Sequence, residues 1–230
     1  MMRRMVTTLA LFVVAPAAAQ DGGWFSPGSF DSAIFNAQAD AMLRRSHQTI
    51  FKESVEESLR RPVSPAPGVP RPPVAAGMVQ QVAAELAAGF PADQRGKAAA
   101  LFVELYRRHG RLERQLGVVA GDPAGGLAML TAASFMAFAD TDLSAASFRA
   151  LYAQMRGIAA RNAAGAAESH DRVTIAILAT YLAVTREALK ERPDAARSAA
   201  IKAAGGSYLR ALLGVDPARV RIGERGLSLG

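Results

Sequence analysis

The spacing of apolar residues along this chain follows a helical period over most of its length, broken where helices have to stop. Phe51, Val55 and Leu59 recur every four residues, while Lys52/Glu56, Glu56/Arg60 and Glu57/Arg61 form i,i+4 charge pairs on the other faces. This predicts a helical arm from about Asp31 to Arg61 with one narrow apolar stripe. Met78, Val79, Val82 and Leu86 draw a second stripe, closed by Gly89. A third runs through Leu101, Leu105, Leu112 and Leu116, widened by Phe102 and Tyr106, with Pro91 near its start and Gly110 within it.

Two later segments carry no charge and are predicted to be the centre of the fold. Asp122-Pro123 is a strong helix start, because Asp caps free backbone N–H groups and Pro is preorganised for the first helical position. The run that follows, Pro123 to Ala139, is too rich in Gly, Ala, Thr and Ser for a membrane span, and reads as a helix buried on all sides. Phe148, Leu151, Tyr152, Met155 and Ile158 predict an amphipathic helix from about Ser144. The next helix runs from about Ser169 to Glu191, with the uncharged stretch Val173 to Thr185 inside it and Pro193 after it. Asp194 opens a last helix carrying Ile201, Tyr208, Leu209 and Leu212, with Gly205-Gly206 as a close contact or kink and Gly214 as C-cap. Beyond it, Val220-Arg221-Ile222 and Leu227-Ser228-Leu229 alternate around a turn at Gly223 to Gly226, which predicts a small β-hairpin or an extended tail packed on the last helix.

The fold class that results is all-α, a bundle of about six helices with a short extended or β-hairpin tail. Six prolines between Pro62 and Pro73 remove backbone donors and favour extended conformations. They read as a spacer over residues 62–74, separating an irregular lead-in and arm at 20–61 from an α-helical domain at 75–230 that folds alone. The other reading is an ordered loop laid over the core surface.

The N-terminus changes the picture from a fold to a destination. Arg3 and Arg4 form a positive region, an apolar stretch runs to Pro16, and Ala17-Ala18-Ala19 offers the small-x-small pattern of a cleavage site. Residues 1–19 therefore read as a signal peptide, shorter than the ~17 to 25 apolar residues of a spanning helix, and no integral membrane span is expected in the mature chain. The destination is the periplasm or the medium. With no cysteine, disulfides, thiolate metal sites and cysteine-linked lipid anchors are excluded. Without Arg3 and Arg4, 25 basic and 20 acidic side chains remain, a net of +5 spread along the chain. That dispersed excess in an exported protein argues against nucleic acid as a partner.

Several residue runs resemble a known family. They are Gly89-Phe90-Pro91-Ala92-Asp93-Gln94-Arg95, Leu116-Gly117 with Gly121-Asp122-Pro123-Ala124-Gly125, and Leu213-Gly214-Val215-Asp216-Pro217-Ala218-Arg219-Val220-Arg221-Ile222 with Gly226-Leu227. Over about residues 78–229 the chain is similar to a family of exported α-helical bacterial proteins of unknown function. The resemblance implies an α-helical domain behind an export signal, often after a variable, proline-rich segment, and carries no activity, catalytic residue or ligand. One departure stands at Asp171-Arg172, where the family pattern has a Lys-Gln pair with an acidic residue one turn later.

Candidate chemistry is sparse. His47, His109 and His170 lack the i+3 or i+4 partner of a helix-borne metal pair. There is no Gly-x-Ser-x-Gly elbow, and Ser198 precedes Lys202 by four residues where a Ser-x-x-Lys arrangement needs three. Glu168-Ser169 echoes the start of a lytic transglycosylase signature without its substrate motifs, and Glu168 and Asp171 read as helix caps. The densest charge cluster, Arg107, Arg108, His109, Arg111 and Arg114, is a candidate for binding an anion or an acidic partner, against the plainer reading of a solvated face. Phe51, Val55 and Leu59 are the candidate arm interface, for a protein partner or self-association.

These readings converge on an exported, non-enzymatic envelope protein that acts by binding a partner or ligand, with no cofactor. The alternatives are a cell-envelope hydrolase whose site no motif marks, and a carrier of a small hydrophobic ligand held between helices. Protein recovered from the periplasm is expected to have the intact mass of a chain starting at Gln20; a species retaining Met1 would remove the export argument.

Overall fold

The computed structural model describes residues 32–51, 54–61, 66–161 and 169–230; the signal-like segment, Trp24 and Phe25, Lys52, Pro62 to Pro65 and Glu168 lie outside the described residues. Eight α-helices are described, followed by one 3-10 turn and one hairpin: α1 Ser32–Ile50, α2 Val55–Arg60, α3 Ala76–Ala87, α4 Arg95–Gln115, α5 Pro123–Ala139, α6 Ala145–Arg161, α7 Ser169–Glu191, α8 Ala195–Leu213, β1 Val220–Gly223 and β2 Gly226–Leu229. The fold is an all-α bundle with a short β tail. Among the described residues no helix is long and apolar enough to cross a membrane.

The uncharged run forms the central helix. Asp122 caps α5 by accepting from the Ala124 N–H, Pro123 takes the first turn, and Asp140 ends it in the left-handed conformation at φ 49°. From Leu127 to Ala137 every residue is buried, under α6, α7 and α8. The approach of α8 is the closest: a Cβ on Gly205 would lie 2.6 Å from the Ser134 carbonyl oxygen, and one on Gly206 would lie 2.9 Å from the Phe138 ring. The Gly205-Gly206 pair is thus a close contact inside a continuous helix.

The second uncharged run is equally central. Val173, Thr174, Ile175, Ala176, Ile177, Leu178, Ala179 and Thr180 of α7 are all buried, against α5 on one side and α1, α3 and α4 on the other.

The N-terminal arm departs from the sequence expectation twice. It is two helices, because the chain breaks at Phe51 and Ser54 restarts it by accepting the Glu57 N–H on its hydroxyl at 3.1 Å. It is also part of the core. Phe35 stacks on Phe102 with ring centroids 5.3 Å apart and meets Tyr181 edge-on at 5.1 Å, while Ala39, Met42 and Leu43 are buried beside it. Polar ties fix the docking: Ser46 donates to Asp171 at 2.7 Å, His47 to the Leu212 carbonyl at 2.7 Å, Tyr208 to Asn36 at 2.9 Å, and Ser207 to Asp40.

The proline-rich segment, described from Ala66 onward, follows the ordered-loop alternative there. Arg71 N–H reaches the Ala120 carbonyl, and Arg172 donates to the Pro72 carbonyl at 3.1 Å. Gly68 lies so close to Val119, Tyr152 and Asp122 that any Cβ would meet them at 2.7 to 3.0 Å. This stretch is a strap over the α4–α5 junction.

The tail is a hairpin, with Val220 opposite Leu229 and Ile222 opposite Leu227. It packs chiefly on α6 and not on the last helix, since Gln154 brackets Leu227 by accepting its N–H at 2.7 Å and donating to its carbonyl at 2.9 Å. Val220 and Leu227 are buried, while Arg221 and Arg225 are exposed.

A chain starting at residue 75 lacks Phe35, Ala39, Met42, Leu43, Phe51 and Val55, all of them core side chains. Each larger one contributes about 1.5 to 3 kcal/mol, against a total stability of about 5 to 15 kcal/mol. That chain is expected to melt without a sharp transition by circular dichroism, while a chain starting at residue 20 melts cooperatively. Equal sharpness for both would show that the arm is dispensable to the core.

Candidate functional site

The basic cluster on α4 does not assemble as one site. Arg108, Arg111 and Arg107 turn toward a single carboxylate, Glu104, at 3.1, 3.6 and 3.9 Å. These pairs are largely exposed and each contributes little. Arg114 is exposed on the same helix.

His109 faces the other way. It is buried between α4 and α7, with Nδ1 3.4 Å from Thr180 Oγ1. Burial lowers its pKa to about 4, so the ring is neutral near pH 7. Thr180 donates its own hydroxyl proton to the Ala176 carbonyl at 2.8 Å, so its oxygen accepts from His109 Nδ1–H. The other ring nitrogen, Nε2, lies 3.7 Å from Glu113 Oε1.

Glu113 belongs to a polar cluster beneath the strap that sequence reasoning missed. It is buried, accepts the Gly121 N–H at 3.2 Å, and has its pKa raised by desolvation. Beside it Tyr152 donates to Asp122 Oδ2 at 2.6 Å and accepts the Val119 N–H at 3.2 Å. Burial and then the Asp122 carboxylate push the Tyr152 pKa up to about 12, which keeps the hydroxyl a donor. Gly117 and Gly121 make the loop possible at φ 68° and 67°, and a Cβ on Gly121 would lie 2.8 Å from the Arg71 carbonyl oxygen. Asp122 was legible as a cap. Glu113 had a signal too, seven residues after Tyr106 on the same helical face.

The remaining candidates have separate partners. His170 Nε2 lies 2.7 Å from Glu85, which, against the cost of its own partial burial, is held below the usual carboxylate range by His170 and Gln81. Asp171 and Arg172, the departure from the family pattern, hold α1 and the strap respectively. Among the described residues no group of three His, Asp or Glu side chains gathers to hold a metal. The arm residues are taken up internally: Phe51 and Val55 are buried and Leu59 packs half-buried on the core.

One open cavity combines apolar and charged walls. It measures about 360 Å³ and lies where the ends of α5 and α7 meet the first turns of α8. Ala137, Leu189 and Ile201 form its apolar floor, and Asp140, Arg186, Lys190, Ser198 and Lys202 its polar rim. Arg186 and Lys190 are already paired, both with Asp142 and both with Glu187. Ser198 and Lys202, too far apart in sequence for a Ser-x-x-Lys motif, thus share a wall.

Because the folded His109 binds its proton less tightly than the unfolded one, its contribution to stability is present above about pH 6.5 and is lost as pH falls toward about 4. The loss is on the order of 3 kcal/mol. Glu113 acts oppositely, its raised pKa favouring the folded state as it takes up a proton. Replacing His109→Gln is therefore expected to flatten the acid side of the stability profile in urea titrations between pH 7 and pH 4. Parallel profiles for the two proteins would mean that His109 protonates freely in the fold.

No curated protein and no solved structure matches the chain. Its sequence matches DUF6683, a family of unknown function, over residues 2–230, and the chain belongs to that family.

Proposed function

We propose that this protein is exported to the cell envelope and acts there by binding, with the cavity between α5, α7 and α8 as its binding site. The observation that carries this reading is the composition of that cavity's wall, an apolar floor beneath a charged rim, in about 360 Å³. Small-molecule sites fall at about 300 to 1,000 Å³, and here the apolar floor offers contact area while a rim richer in charge than most such sites offers orientation. The signal-like residues 1–19 support the destination.

The arm is a poorer candidate for the contact surface. Its apolar side chains already lie against the protein's own core, so a partner would have to displace Phe51 and Val55 before meeting them. Buried Glu113 and Asp122 do not suggest a hydrolase either: the strap covers the cluster, and Asp122 is committed to Tyr152 and the cap of α5.

Cell fractionation followed by native mass spectrometry tests the reading. The expected result is envelope-localised protein carrying a small adduct that is released on denaturation. Cytoplasmic protein, or envelope protein whose native and denatured masses agree and which captures no small molecule from envelope extract, would overturn it.

A further inference from the structure

The charges at the cavity rim divide into a satisfied pair and an unsatisfied pair. Arg186 and Lys190 spend their charge on Asp142 and Glu187. Against the cost of its own desolvation, the Asp142 carboxyl is held below its usual value by hydrogen bonds from Lys190 and Arg186, as a settled ion-pair network requires. Lys202 and Asp140 are different. Among the described residues neither side chain makes an ion pair or hydrogen bond, with the other or with any third group, although both line the same cavity. The cavity therefore offers one free cation and one free carboxylate more than 4 Å apart, over an apolar floor.

Behind that wall lies one donor without a partner. Arg186 is about nine-tenths buried, and its Nε has no hydrogen-bond partner while its terminal nitrogen serves Asp142. Buried donors left unanswered by protein are uncommon, and each costs stability. That Nε has almost no surface open to water, so it stays behind the cavity wall and does not face a ligand.

From these features we propose that the cavity binds a small apolar zwitterion, an aliphatic amino acid or short aliphatic peptide, with its carboxylate toward Lys202, its ammonium toward Asp140 and its side chain on Ala137, Leu189 and Ile201. A simple fatty anion fits less well, because it leaves the Asp140 carboxylate at the rim without a cationic partner. A bare anion leaves the floor unused. The proposal rests on the binding reading above and gives its site a ligand class.

The two poles can be removed separately. Asp140 sits in the left-handed region that Asn also adopts readily, so Asp140→Asn keeps the end of α5. Lys202 is exposed on α8, so Lys202→Gln leaves the helix intact. The probes are L-leucine and L-leucyl-L-leucine, which separate the amino acid from the peptide, with 4-methylpentanoate lacking the ammonium and 3-methylbutylamine lacking the carboxylate.

Isothermal titration calorimetry of the mature wild-type chain is expected to show one of the two zwitterions binding at least tenfold more tightly than either single-charge analogue. Each variant should weaken that zwitterion about tenfold or more. Asp140→Asn should leave 4-methylpentanoate unchanged, and Lys202→Gln should leave 3-methylbutylamine unchanged. Equal binding of zwitterion and fatty anion would overturn the proposal, as would variants without effect, or no binding of either zwitterion. A protein that fails these titrations yet carries another adduct from the envelope would still be a binding protein, with a different ligand.

Discussion

Because α5 carries no charged side chain and turns almost no face to water, three helices must close around it, and the distance of the nearest is set by two glycines. Gly205 lets the α8 backbone rest against the Ser134 carbonyl, and Gly206 receives the Phe138 ring. At such a contact a single methyl group displaces backbone, which cannot move aside as a side chain can. Once α8 lies there, its Asp194 cap and Gly214 C-cap set its ends, and the hairpin is delivered to α6, where Gln154 receives it.

The same demand passes outward to α7. Its uncharged stretch contacts α5 on one side, so α1, α3 and α4 must cover the other, and Phe35, Phe90 and Phe102 fill the gap with rings about 5 to 6 Å apart. Apolar packing of this kind has little directional preference. Direction comes from buried polar ties across long stretches of chain, such as Ser46 to Asp171, Tyr208 to Asn36 and Tyr152 to Asp122. The strap is the clearest case, an extended segment with few ladder bonds held by Arg172, the Ala120 carbonyl and a glycine that fits where no side chain can.

What was legible in the sequence follows from which signals are local. Asp122-Pro123, Asp194, Gly214 and the Gly223 to Gly226 turn act within a few residues of themselves, and α5, α8 and the hairpin lie where those residues put them. The arm was misread for the same reason. A four-residue stripe through Phe51, Val55 and Leu59 continued past Ser54, whose hydroxyl caps a new helix, and the docking residues Phe35, Met42 and Leu43 sat upstream of that stripe. Proline content predicted extended backbone but says nothing of a carbonyl partner 100 residues away. His109 lies four residues after Leu105 and three before Leu112, so periodicity alone assigned it to the buried face, though its charged neighbours drew it into a surface cluster. The cavity had no local signature, since its wall comes from three helices.

With the arm's apolar stripe consumed internally, the binding proposed above falls to a rigid concavity and not to an appendage, and this changes what it would cost. A docking helix pays ordering entropy when it meets its partner. The walls of the α5–α7–α8 cavity are already fixed by the Gly205 contact and by the Asp142 network, so a ligand there orders chiefly two exposed side chains, Asp140 and Lys202. Charges at a partly open rim attract weakly in water and discriminate well, because the wrong arrangement leaves one of them desolvated and unpaired. Affinity in such a site scales with the apolar body laid on Ala137, Leu189 and Ile201, and selectivity with whether the ligand carries both poles.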